Sequence, residues 1–216
     1  MYTSVDLSAL HEKKRFTEKT ESHIFRPHGW LLLLAGCYLI GIFLGCRVLR
    51  LAPDELLHGM KAVFSEHLAI RTAQTLRQLV ISSFWQAMIP LLMLFLLGFC
   101  ALALPVFPIM MGFEGMGYGV LISAALETAA ETGSPGFRAT LVFAPFLLCC
   151  ALLWIGFGTI AVKQSLLCWK VLYGGNTSQL PELGLYCRKF ISYAGASLLL
   201  AATNGVWVQV ISSVLL

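Results

Sequence analysis

Glu114 stands out among the residues that could do chemistry. It is the only charge in the 43 residues from Phe84 to Leu126, a run broken near its middle by Pro105 and Pro108. Gly112, Gly115, Gly117 and Gly119 surround it. An ionisable side chain inside an apolar stretch is costly to bury and so asks for a reason. The chemistry it could serve is proton or ion transfer, and a pathway of that kind needs further polar groups. Gln86, Ser123, Thr159 and Asn204 are the candidates by composition. The alternative is an acid that holds the fold, bonded to a neighbouring helix or a backbone carbonyl.

Other reactive constellations are incomplete. His11-Glu12 is followed by Lys13, Lys14 and Arg15, so the second histidine of a zincin helix is missing. Glu55 and His58 have the i,i+3 spacing of half a di-iron motif, without a second half. Glu66-His67 reads as a solvated helix face. No GxSxG elbow and no phosphate-binding loop occurs. The cysteines are Cys37, Cys46, Cys100, Cys149, Cys150, Cys168 and Cys187, and none are spaced as CxxC. They read as free thiols, with neither a disulfide framework nor a zinc site. The chain is expected to be no enzyme and to carry no cofactor or metal.

The elements that must position Glu114 are membrane helices. The chain is 58% hydrophobic and only 12% charged, about half the soluble average, and its mean hydropathy is +0.79. The expected fold is all-α and polytopic. At about 20 apolar residues per crossing, five spans fit: Gly29–Leu49, Phe84–Leu104, Ile109–Leu126, Ala139–Val162 and Phe190–Leu216. Residues 1–28 form a polar lead and 29–216 a single membrane domain. The first apolar run follows a long polar lead with no small-residue cleavage site, so it reads as an uncleaved helix and not a signal peptide. No basic run, zinc-finger spacing or RNP-like pattern points to nucleic acid.

Lysine and arginine counts set the orientation. With the N-terminus in the cytoplasm, nine basic residues fall inside and six outside. Five spans then put the C-terminus outside. The segment Pro53–Val80 lies outside and reads as an amphipathic helix. Pro53 and the acids Asp54 and Glu55 mark its start, and Leu56, Met60 and Phe64 recur at helical spacing. It is either a connector packed on the bundle or a docking surface for an extracytoplasmic partner. If the central hairpin turns at Leu104–Pro108, Glu114 lies about 9 Å inside the third span. A turn at Phe113–Gly115 would leave it interfacial and the span short, so the first version is preferred.

Gly115 and Gly119 are spaced GxxxG, as are Gly41 and Gly45 in the first span. Such spacing lets helix backbones approach closely, either within the bundle or between two copies of the chain.

The hairpin, from Gly98 through Pro105, Pro108, Gly112, Glu114 and Gly115 to Gly119, resembles the stage II sporulation protein M family. So does the order of polar lead, first span, amphipathic segment and four further spans. Phe143-Ala144-Pro145 and Gly156-Phe157-Gly158 in the fourth span are also similar. The resemblance implies a scaffold in the septal membrane that acts in engulfment during endospore formation. It implies extracytoplasmic partners that degrade peptidoglycan, a lytic transglycosylase and an amidase/endopeptidase. The alternatives from other classes are a permease or channel subunit, and the membrane subunit of an export complex whose ATPase is a separate chain.

Overall fold

The computed structural model describes residues 27–132, 134–172 and 183–215. They form six α-helices: α1 (Pro27–Arg50), α2 (Asp54–Ala73), α3 (Leu76–Gly98), α4 (Val106–Thr132), α5 (Ser134–Leu172) and α6 (Leu183–Leu215). A short 3-10 turn, Ala101–Ala103, links α3 to α4. Five of the helices are long and apolar enough to cross a membrane, over Gly29–Arg50, Leu76–Gly98, Val106–Glu127, Ala144–Leu172 and Leu183–Ile211. The chain is an all-α, multi-pass membrane protein. The polar lead with His11-Glu12, and the loop around Asn176, lie outside the described residues.

Several boundaries differ from those expected, each for a local reason. The second crossing begins at Leu76, not Phe84. Gln74 is extended and ends α2. The Gln78 side-chain oxygen then accepts the Thr75 N–H and the Thr75 hydroxyl, each at 3.1 Å, which starts a new helix. The expected amphipathic helix over 53–80 is therefore two elements, and Leu76–Val80 belongs to α3. At its other end α3 stops at Gly98, so Phe99–Pro105 makes the hairpin turn and Leu104 is not in the span. Pro105 directly precedes α4, and Pro108 takes its third position. Both are tolerated there because first-turn N–H groups have no helical acceptor. The fourth crossing, in α5, continues through Lys163 to Leu172, since a charge does not end a helix as glycine or proline does. The fifth begins at Leu183, not Phe190.

Contacts fix the helix directions. Tyr38 lies against Gly115 and Ile42 against Gly119, so α1 and α4 run parallel. The Trp154 indole donates to the Ala87 carbonyl at 2.9 Å, and the Ser165 hydroxyl donates to the Cys100 carbonyl at 2.7 Å, so α3 and α5 are parallel. Asn204 meets Ser83 while Tyr186 meets Phe95, so α6 runs antiparallel to α3. One end of the bundle thus carries the start of α1, the α3–α4 turn, the end of α5 and the start of α6. The opposite end carries α2, which packs on α4 and α6.

The core is built on Trp154, Phe107, Phe157, Leu34, Leu91, Leu94 and Met111, all essentially sealed from the surface. Pro90 lies inside α3 and is buried. Its missing N–H leaves the Gln86 carbonyl without its helical donor, and the Trp154 indole donates to the next carbonyl along, that of Ala87. Leu32, Leu148 and Leu199 are among many exposed apolar side chains on the outer faces of the crossing helices. Those faces suit hydrocarbon.

Candidate functional site

The glycines and the acid belong to different surfaces of α4. A Cβ on Gly41 would strike the Gly112 carbonyl, and one on Gly45 the Met116 carbonyl. From the other side, a Cβ on Gly115 would strike the Tyr38 carbonyl, and one on Gly119 the Ile42 carbonyl. The two GxxxG motifs are therefore each other's partners within one chain. Cys46 Sγ donates to the Gly119 carbonyl at 3.3 Å along this seam. Gly112 is looser, its nearest contact being the Cys37 carbonyl at 3.8 Å. Gly98 serves another joint, where the Tyr186 hydroxyl fills the space a Cβ would need. That hydroxyl donates to the Phe95 carbonyl at 3.0 Å. The Tyr186 ring stacks on Phe95 at 5.2 Å and on Phe157 at 5.8 Å.

Glu114 is half-buried on α4. It lies eight residues beyond Val106, about 12 Å along the axis, so the turn indeed precedes it. Among the described residues no hydrogen bond reaches its carboxyl, contrary to the bonded acid weighed above. Tyr38 and Tyr118 are within electrostatic range of it, and their rings lie 6.1 Å apart. The four polar candidates do not converge on Glu114 either. Asn204 Nδ2 donates to Ser83 Oγ at 2.9 Å. Thr159 donates to the Gly156 carbonyl in its own helix at 2.7 Å. Ser123 is buried. Gln86 has a different partner, Arg71.

Arg71 is the polar residue that sequence reasoning missed. It sits near the end of α2 and is only 5% exposed. Its Nη2 donates to Gln86 Oε1 at 2.5 Å. Gln86 is ten residues into α3, about 15 Å along that helix, so the Arg71 side chain reaches inward from the end of α2. Gln86 also lies near Tyr118, whose ring stacks on Trp154 at 5.8 Å. Burial pushes the Arg71 pKa down from its ordinary value, yet a guanidinium keeps its proton inside proteins. The result is a fixed cation that Gln86 helps to hold at the end of α2. A signal was present: Arg71 falls seven residues after Phe64, on the apolar stripe of α2 and not on its polar face.

The expected docking face of α2 is only partly described. Met60 is half-buried and packs on Leu49, Ala124 and Ala125, so it faces the bundle. The side chains of Leu56 and Phe64 lie outside the described residues. Glu55, His58 and Glu66 are exposed. All seven cysteines are free, and among the described residues no group of three His, Cys, Asp or Glu could hold a metal. What the arrangement can do is bind helices to one another and carry a fixed charge. No family model, curated protein or solved structure matches the chain.

Proposed function

We propose that this chain is a non-enzymatic membrane scaffold that holds cell-wall hydrolases at the outer face during engulfment in endospore formation. The observation that supports it most is the reciprocal glycine seam. The hairpin residues that carry the family resemblance are used to lock α1 onto α4 inside one chain, and such a joint makes a rigid frame. The exposed Glu55, His58 and Glu66 on α2 offer a polar surface at one end of that frame. With the N-terminus in the cytoplasm this end is extracytoplasmic. Burial of Arg71 takes one basic residue off the surface at that end, which favours that orientation. The intended partners are a lytic transglycosylase and an amidase/endopeptidase. The tagged chain, solubilised from sporulating cells during engulfment, should co-purify with both, and its deletion should stall the engulfing membrane. Normal engulfment in the deletion strain would sink the proposal.

A permease is the second reading, favoured by the polar set Arg71, Gln86, Tyr118 and Glu114 within the bundle. Proteoliposomes containing the wild-type chain and Glu114→Gln separate the two. The scaffold reading expects the same background proton and cation leak from both proteins. It also expects a stability change within about 1 kcal/mol, because Glu114 loses no bonded partner. A wild-type flux that the substitution abolishes would replace the scaffold with a permease.

A further inference from the structure

The outer surface between α5 and α6 carries an open groove of about 520 Å³, walled by Leu152, Leu153, Tyr193, Ala196 and Leu200. Through Cys149 and Leu200 it continues into a smaller recess of about 210 Å³ beside Asn204 and Trp207. The two helices are antiparallel here, with Gly156 against the Tyr193 hydroxyl and Cys149 facing Leu200 across the groove. Basic residues stand on the same stripes towards one end. Lys163 lies eleven residues beyond Leu152, three helical turns away on the same face of α5. Lys189 and Arg188 lie three and four residues before Ser192, on the α6 side of the groove. All three are exposed, and the antiparallel pairing brings Lys163 level with the first turns of α6.

An apolar slot with cations at one mouth has the chemistry of a bound lipid. From Lys189 to Leu200 is eleven residues, about 16 Å of helix. One leaflet of hydrocarbon is about 15 Å deep. An acyl chain lying along Leu152, Ala196 and Leu200 would end near Cys149, at mid-membrane, with its phosphate among the basic residues. Lysine stems can follow the apolar wall while their ammonium groups stay at the headgroup level. We propose that this groove is a binding site for one anionic phospholipid, with Lys163 and Lys189 taking the phosphate and Arg188 beside them.

The test is native mass spectrometry of the full chain released from detergent micelles, with phosphatidylglycerol and phosphatidylcholine as the probes. Wild type should retain phosphatidylglycerol in preference. Each lysine near a membrane surface favours an anionic lipid by about 5-fold, so Lys163→Gln with Lys189→Gln should lower that preference roughly 25-fold. Arg77→Gln, at the opposite end of the bundle, should leave it unchanged. Leu152→Trp fills the slot from an exposed position and should reduce retention of phosphatidylglycerol with both lysines intact. Equal retention of the two lipids by wild type, an unchanged preference in the double lysine variant, or full retention in Leu152→Trp would each overturn the proposal.

Discussion

Replacing Gly115 with leucine is expected to destabilise the bundle by at least about 3 kcal/mol, at the upper end of overpacking effects. The Cβ has nowhere to go, because the atom it meets is the Tyr38 backbone carbonyl. A flexible side chain could turn aside, but a helix backbone can only move as a whole. Separating α1 from α4 would also open the contacts on either side of Gly115, at Gly41, Gly45 and Gly119. The same loss should follow Gly45→Leu, whose Cβ meets the Met116 carbonyl from the other helix. Gly117, two residues from Gly115 on the same helix, has no neighbour within 4 Å of an added Cβ. Gly117→Ala should therefore be neutral or stabilise by up to about 1 kcal/mol through helix propensity. Denaturation of the purified full chain in mixed detergent–SDS micelles measures all three. Equal effects at Gly115 and Gly117 would mean that the seam does not form as described. An unfolded Gly115 variant should also fail to retain the proposed hydrolase partners, but that loss alone would say nothing about scaffolding.

The architecture was legible because a bilayer imposes a coarse rule. Twenty or so apolar residues in a row have few alternatives to a crossing helix, so all five crossings could be read from hydropathy. Their ends obey finer rules. The start of α3 is set by Thr75 and Gln78, a four-residue capping signature that a continuing apolar face on either side concealed. The pairing of the two GxxxG motifs was half legible. Spans one and three must run in the same direction, but nothing in the residues says that they are neighbours. The site was harder to read. Glu114 drew attention as an isolated charge in an apolar run, yet isolation in sequence does not measure burial, and its side chain is half open. Arg71 looked ordinary among the charges of α2 and turned out to be the buried one. Depth depends on where a helix docks, and the docking of α2 rests on long-range contacts that no local pattern encodes.

That docking leads to the second large effect. Gln86→Leu should destabilise the chain by about 2–3 kcal/mol, because it takes a hydrogen-bond acceptor from a buried cation. The Arg71 charge cannot be neutralised, so it must either lose that bond or pull the end of α2 out of the bundle. Arg71→Met removes the charge that Gln86 serves. In the double variant, leucine at 86 should then do little further harm. The expected coupling between the two sites is about 1–2 kcal/mol in a double-mutant cycle read by the same denaturation. Strict additivity would mean that Arg71 does not depend on Gln86. The cycle also bears on the scaffold proposal. If Arg71 pins α2, then Gln86→Leu should release α2 while the glycine seam between α1 and α4 stays closed. A folded bundle with a freed α2 is the variant in which hydrolase binding can be lost without loss of the frame. Retention of the partners by that variant would move their contact from α2 to another outer element.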